Sequence, residues 1–199
     1  MKLKGRQQEI IDASIGLIAD FGIQHLTIKN IAGKLGITEP AIYRHFESKF
    51  DILYALLDSF EEMSSDVLQK TAVQKLPPPA KLEAFIFDRF ARMSGNPKLA
   101  KVMFAEELFQ DDERLSKKMM KIMHEHKDII QTIIDEGRVD GSIRTDIDSL
   151  TLFRIIFGPV RLLIKQWTLS GYRFDLEEEG RKLWDAELKL LQGKVVSSQ

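Results

Sequence analysis

Residues 26–49 read LTIKNIAGKLGITEPAIYRHFESK. Their punctuation describes two short helices joined by a glycine turn and followed at once by the start of a third. Thr27 stands before the apolar-periodic run Ile28, Ile31, Ala32, Leu35, where an N-cap belongs. Ala32 is small enough to let a second helix approach closely. Gly36 follows the run at the left-handed C-cap position, and Ile37 can plug the turn into a core. Thr38 is a second N-cap candidate. Pro40 sits in the first turn of its helix, where a missing N–H costs little. Ile42 and Phe46 are four apart and share a core-facing side. Ser48 with Asp51 makes a third helix start of the S-x-x-D type. Tyr43, Arg44, His45 and Lys49 crowd the end of the unit. This is the layout of a helix-turn-helix, whose second helix enters the DNA major groove. Helix starts at Thr27, Thr38 and Ser48-Lys49 also suit phosphate.

The stretch resembles the N-terminal domain of the TetR family of bacterial transcriptional regulators. The resemblance is carried by Leu26-Thr27, Ile31-Ala32, Leu35-Gly36-Ile37, Pro40-Ala41-Ile42-Tyr43, His45-Phe46 and Ser48-Lys49, and covers about the first quarter of the chain. It implies phosphate contacts from Thr27, Thr38, Tyr43, His45 and Lys49, which set register and salt-dependent affinity without reading bases. It implies base-facing positions at Lys29, Glu39, Pro40, Ala41 and Arg44. In those positions Arg44 suits guanine, Glu39 can accept from cytosine N4, and Ala41 can meet a thymine methyl. Arg44 departs from the aromatic or small residue many relatives carry. The Glu39 carboxylate repels phosphate, and serves either as a device against wrong bases or as a helix cap.

The chain has 199 residues, 44% of them hydrophobic and 30% charged, which suits a soluble globular protein with a proper core. It contains no cysteine, which excludes disulfides, thiolate catalysis and Cys-type zinc sites and fits a reducing cytoplasm. The basic start (Lys2, Lys4, Arg6) leads into an amphipathic helix interrupted by Asp12 and Asp20, not into a signal peptide. The most apolar stretch, Leu150 to Leu169, carries Arg154, Arg161 and Lys165 and reads as a bundle helix rather than a membrane span. The net charge is −1, but residues 1–49 hold seven Lys/Arg against five Asp/Glu. That excess fits a DNA-reading head on a neutral-to-acidic body.

Periodicity predicts an all-α chain of about nine helices without strands or repeats. They fall at about 4–21, 28–35, 39–46, 49–70, 80–93, 97–109, 111–136, 149–169 and 176–192. Leu76-Pro77-Pro78-Pro79 reads as an extended linker, Gly137 and Gly141 as the brackets of a loop, and Val195–Gln199 as a fraying tail. Gly158-Pro159 should kink the eighth helix, with Arg154, Arg161 and Lys165 on one stripe around it. The expected division is a DNA-binding domain at 1–48 and an effector-binding and dimerisation domain at 49–199, joined by the fourth helix.

The second part is rich in soft apolar groups. Phe90, Met93, Phe104, Met120, Met123, Phe153 and Phe157 are expected to line a mainly apolar effector pocket, with Arg161 or His124 as polar anchor. His124 and His126 are two apart on a helix and point to different sides, against a shared metal site. The resemblance implies dimerisation through the last two long helices, with Leu183, Trp184, Leu188 and Leu191 at the interface. No glycine-rich phosphate loop, G-x-S-x-G or H-E-x-x-H occurs, so no enzyme, cofactor or metal is expected. The reading is a cytoplasmic, nucleoid-associated homodimer: a repressor released from a palindromic operator by a small apolar effector. Two alternatives stay open. One is an effector-independent DNA-binding protein with an architectural or cell-division role; the other is an enzyme or carrier retaining a helix-turn-helix.

Overall fold

The computed structural model describes residues 5–104, 106–110 and 112–193, with residues 106 and 107 described by their backbone only. Lys2, Lys4, Asp111 and the tail Val195–Gln199 lie outside the described residues. Among those described, nine α-helices and two short 3-10 turns account for the regular structure. The helices are α1 (Arg6–Phe21), α2 (Ile28–Leu35), α3 (Glu39–Tyr43), α4 (Lys49–Ala72), α5 (Pro78–Gly95), α6 (Pro97–Met103), α7 (Glu113–Val139), α8 (Ser149–Leu169) and α9 (Leu176–Gln192). None of them is long and apolar enough to cross a membrane. The chain separates into two compact units, Met1–Ser64 with Lys98–Ile122, and Ser65–Pro97 with Met123–Gln199.

In the first unit α1, α2 and α3 pack in succession. Ile10, Ile11, Leu17, Ile31, Ile42, Phe46, Ile52 and Leu57 form its buried interior. In the second unit α5, α8 and α9 pack on one another. Glu177 receives a hydrogen bond from Ser94 Oγ at 3.0 Å, and the Arg181 guanidinium lies 4.6 Å from the Phe87 ring centre, so α9 runs antiparallel to α5. Gly180 makes the approach possible. A Cβ there would stand 2.4 Å from the edge of the Phe90 ring.

Four expectations need correction. The linker at residues 76–79 ends early, because α5 begins at Pro78 with prolines in its first turn. That turn has no intrahelical acceptors for its N–H groups, so prolines cost little there. Gly137 lies inside α7 rather than opening a loop. Its missing side chain admits Ile143, whose Cδ1 would stand 2.6 Å from a Cβ at this position. The third helix stops at Tyr43, where His45 N–H turns to Ile42 O at 2.8 Å and tightens the chain around buried Phe46. The sixth helix likewise stops at Met103, and Glu106–Phe109 form a separate 3-10 turn. The helix starts at Asp148 and Asp175 are closed by side-chain caps. Asp148 accepts from Thr151 N–H at 3.0 Å, and Asp175 from the N–H groups of Glu177 and Glu178.

One charge-bearing group is out of place. Glu187 is buried on the inner stripe of α9 with Leu176, Gly180, Trp184 and Leu191, and neither carboxylate oxygen has a hydrogen-bond partner. Burial pushes its pKa up to about 8. The carboxyl is therefore protonated in the fold and ionised in the unfolded chain between its ordinary value of 4.5 and about 8. In that window the unfolded state binds fewer protons, so stability falls as pH rises, by up to about 1.4 kcal/mol per pH unit. Above the window the slope vanishes. Glu187→Gln should raise the melting temperature more at pH 8.5 than at pH 5, measured by thermal denaturation across pH. Parallel pH profiles for the two proteins would contradict this account.

Candidate DNA interface and effector region

The helix-turn-helix is built as its residues direct. Thr27 Oγ1 accepts from Asn30 N–H at 3.1 Å, closing the start of α2, and Asn30 Nδ2 donates to His25 O at 2.9 Å. Gly36 takes φ 65°, a left-handed conformation that favours glycine, and Ile37 N–H returns to Ala32 O at 3.0 Å. Thr38 is extended and its hydroxyl makes no capping bond. Ser48 Oγ accepts from Asp51 N–H at 3.3 Å and donates to the Asp51 carboxylate at 2.8 Å, fixing the start of α4.

Nine of the ten expected DNA-facing residues are exposed. They are Thr27, Lys29, Thr38, Glu39, Pro40, Tyr43, Arg44, His45 and Lys49, and Ala41 is half-buried. Tyr43 keeps 51% of its surface, so it is not a core tyrosine. An aromatic hydroxyl, an imidazole, a guanidinium and an ammonium thus share the stretch from Tyr43 to Lys49. Beside it, within the same unit, an open cleft of about 770 Å³ is lined by His45, Phe50, Tyr54 and Asp58 and by Arg114, Lys118 and Lys121 of α7. Lys118 is buried and bridges Asp58, at 2.6 Å, and Glu61. Burial works against its charge, but the hydrogen bonds to Asp58 and Glu61 prevail and hold its pKa above the ordinary value. Arg114 lies with its guanidinium carbon 3.5 Å from the Phe50 ring centre. The pattern of α7 gave no sign of these contacts.

The residues expected around an effector divide. Phe104 and Met120 belong to the first unit; Phe90, Met93, Met123, His124, Phe153, Phe157 and Arg161 belong to the second. Met120 and Met123 are 49% and 40% exposed, and His124 is exposed too. The buried stripe of α7 passes through Leu115, Lys118, Ile122, Ile130 and Ile133, and all three fall off it. Phe90 and Met93 are fully buried, with Phe90 seated against Gly180. Phe153 and Phe157 do come together, stacked at 5.2 Å, and Phe85 joins them 5.8 Å from Phe157. Arg89 lies 5.0 Å from the Phe85 ring centre, and His126 meets the same ring edge-on at 6.3 Å. Sequence reasoning missed Arg89 and His126 here. The readable signal was spacing: Phe85 and Arg89, and Phe153, Phe157 and Arg161, repeat every four residues. The expected stripe of Arg154, Arg161 and Lys165 splits, because Arg154 is exposed while the other two are half-buried. α8 continues through Pro159 as one helix.

The expected dimer contacts also need correction. Trp184 and Leu191 are 2% and 1% exposed within the chain itself, so they have no surface left to bury against a partner. Leu183 and Leu188 are half-buried. The outward stripes are Gly158, Leu162 and Leu169 on α8 and Leu183, Ala186 and Leu190 on α9, with Leu162, Leu169 and Leu190 more than half exposed.

Two substitutions test the DNA surface. Lys49→Ala should weaken binding to specific and random DNA alike and lower the salt slope of log K by roughly one unit. Titration by fluorescence anisotropy between 50 and 200 mM salt, about the range over which phosphate contacts dominate, reads both. An unchanged slope would remove Lys49 from the phosphate contacts. Thr27→Ala should cost about 1 kcal/mol of stability through the lost cap.

The comparisons with known proteins agree along the chain. Residues 10–56 match the family of bacterial regulatory proteins, tetR family, and residues 57–190 match the C-terminal region of YsiA-like protein. The chain is 27% identical over 176 residues to the fatty acid metabolism regulator protein of Bacillus subtilis (strain 168), covering 86% of this chain and 88% of that one. It is 24% identical to the nucleoid occlusion factor SlmA of Actinobacillus pleuropneumoniae serotype 5b (strain L20), over 92% and 90% of the two chains. Among solved structures it is similar to the transcriptional regulator FadR from Bacillus subtilis in complex with stearoyl-CoA. That match has a TM-score of 0.79 at 25% identity and covers 92% of this chain and 98% of the other. With both of its parts matched, the chain belongs to the TetR family and is a helix-turn-helix, DNA-binding transcriptional regulator.

Proposed function

We propose that the chain is a homodimeric repressor released from a palindromic operator by a fatty acyl thioester. Residues 1–48 read DNA and residues 49–199 receive the effector and dimerise. Its place is the cytoplasm, on the nucleoid, and it is not an enzyme. The observation that carries the effector class is the similarity to the B. subtilis fatty acid regulator across most of both chains, joined to the solved FadR complex with stearoyl-CoA. The second unit supports it chemically. An aromatic cluster of Phe85, Phe153 and Phe157 suits an acyl chain. The effector acts as a population shift: it must bind the DNA-incompetent state more tightly than the competent one. The helices α4 and α7, which each contribute to both units, are the covalent route by which the signal passes.

For the dimer, the outward stripes of α8 and α9 supply the apolar surface. Gly158, Leu162 and Leu169 are spaced four and seven apart, and Leu183, Ala186 and Leu190 three and four apart, which places each set on one helix face. Paired with their copies across a two-fold axis they form a four-helix contact. A double charge, Leu162→Glu with Leu190→Glu, should give monomers in analytical ultracentrifugation with the helical circular dichroism unchanged. Dimers persisting in that variant would move the interface elsewhere.

The effector is tested with an operator selected from genomic DNA. Palmitoyl-CoA should release the protein from it at micromolar concentration, whereas CoA should not. Failure of every acyl thioester to release operator would sink this reading. The effector-independent alternative, which the similarity to SlmA favours, would then take its place.

A further inference from the structure

The cleft beside the helix-turn-helix has two unlike walls, both within the first unit. α4 supplies Phe50 and Tyr54, four residues apart with ring centres separated by 5.7 Å, and buried Phe46 lies in the same lining. α7 supplies Arg114, Lys117, Lys118 and Lys121, whose spacing of three and four places them on one helix face. The walls meet where the Arg114 guanidinium covers the Phe50 ring and Lys118 Nζ stands 5.5 Å from the Tyr54 ring centre. Charge along the lining is uneven. Four cations stand against two carboxylates, and both carboxylates are engaged: Asp58 by Lys118 at 2.6 Å, and Asp51 by the Ser48 hydroxyl at 2.8 Å. Arg114 and Lys117 pair instead with Asp112 and Glu113, which stand outside the lining. The Lys117 and Glu113 side chains are 74% and 80% exposed, and an ion pair so open to water contributes little and exchanges readily.

The cleft's volume of about 770 Å³ falls within the span of small-molecule sites, about 300–1,000 Å³, and leaves room for more than one ring. We infer that it is a second ligand site, separate from the acyl site of the second unit, and that it takes a flat aromatic anion. The ring system lies against Phe50 and Tyr54, where stacking rewards planarity. The acid group accepts from Lys117 and from Arg114, whose guanidinium presents several donors. The site does not depend on the acyl-effector reading, which concerns the other unit. The anion is either an aromatic carboxylate or a nucleoside monophosphate. Exposed His45 lines the same cleft at the end of the DNA-reading helices, so a negative charge held there repels DNA phosphate and weakens DNA binding.

Two acids and their uncharged counterparts are titrated into the full-length protein by isothermal titration calorimetry: naphthoate against naphthamide, and adenosine monophosphate against adenosine. At least one acid should bind, about fivefold or more tightly than its counterpart. Preference for naphthoate assigns a carboxylate, and preference for adenosine monophosphate assigns a phosphate. Lys117→Glu reverses charge at an exposed position, and Ala55→Phe narrows the cleft without changing its charge. Each should weaken that acid about fivefold or more, with the helical circular dichroism unchanged. Saturating palmitoyl-CoA should leave the acid's affinity within about twofold, and saturating acid should weaken DNA binding about threefold or more in fluorescence anisotropy. Absence of binding at millimolar concentration, or equal binding of acid and counterpart, overturns the inference and needs no variant to fold. Undiminished binding by either variant overturns it too, as does displacement by palmitoyl-CoA, which places the acid in the acyl site. An unchanged DNA affinity at saturation overturns the link to DNA. A protein that binds the acid but no acyl thioester keeps this site and loses the acyl reading.

Discussion

A buried ammonium must be neutralised where it sits, and the register of the first unit follows from how Lys118 meets that requirement. Its Nζ lies between Asp58 and Glu61, one turn apart on α4, and Lys121 adds a second cation to Glu61 at 3.2 Å. Glu61 is partly desolvated, but the hydrogen bonds from Lys118 and Lys121 outweigh that cost and hold its carboxyl below its ordinary pKa. Removing Asp58 or Glu61 would leave the buried Lys118 ammonium with half of its neutralising charge, so the cluster allows few alternative registers. α7 is thereby fixed against the middle of α4. The start of α4 carries Ser48 and Lys49, which close the DNA-reading unit. An interior ion cluster thus stands only a few turns from the exposed stretch Tyr43 to Lys49, and the cleft beside it reaches His45.

The DNA-reading unit was legible because every device in it is local. Caps, the αL glycine, the proline in a first turn and the four-residue spacing of Ile42 and Phe46 act between residues a few positions apart. A sequence displays such relations directly. Two local expectations failed: α3 ends early because Phe46 turns inward, and Thr38 holds the N-cap position without a side-chain bond. What stayed hidden joins residues far apart in the chain. Lys118 with Asp58, Gly180 with Phe90 and Gly137 with Ile143 are pairings no periodicity announces. The methionines misled for a related reason. Composition located them on α7, but only the register of the buried stripe shows that Met120 and Met123 face outward.

α9 shows how one helix divides its duties by face. Its inner stripe contains a glycine where α5 must come close, a tryptophan where there is room, and an unpartnered glutamate. Its outer stripe is apolar and open, and between the two lie the acidic first turn and the Lys182 contacts to Glu178 and Glu179. Amphipathicity read from sequence gave one apolar face and assigned Trp184, Leu188 and Leu191 to it together with Leu183. The helix has two. Leucines at 183 and 190 and at 188 and 191 differ by which side of α9 meets α5, and that is decided by Gly180. A helix serving both a core and a partner must be apolar over more than the usual arc.

The same reasoning bears on selectivity. A pocket lined only by rings and methyl groups discriminates weakly among apolar ligands, because each methylene more or less changes affinity by only about 1–3 kcal/mol. Fatty acyl chains differ from one another, and from membrane lipid, mostly in such increments. A charge requirement at one end separates ligands far more sharply, since an unsatisfied cation at low dielectric is costly. Phe85 on α5 and Phe153 and Phe157 on α8 bring two neighbouring helices to one aromatic cluster. A ligand inserted among these rings would touch both helices, and its contacts would depend on how α5 and α8 are set along their lengths. Such a ligand favours one arrangement of these helices over others. That differential is what a ligand needs if it is to shift a protein between two states rather than merely occupy it.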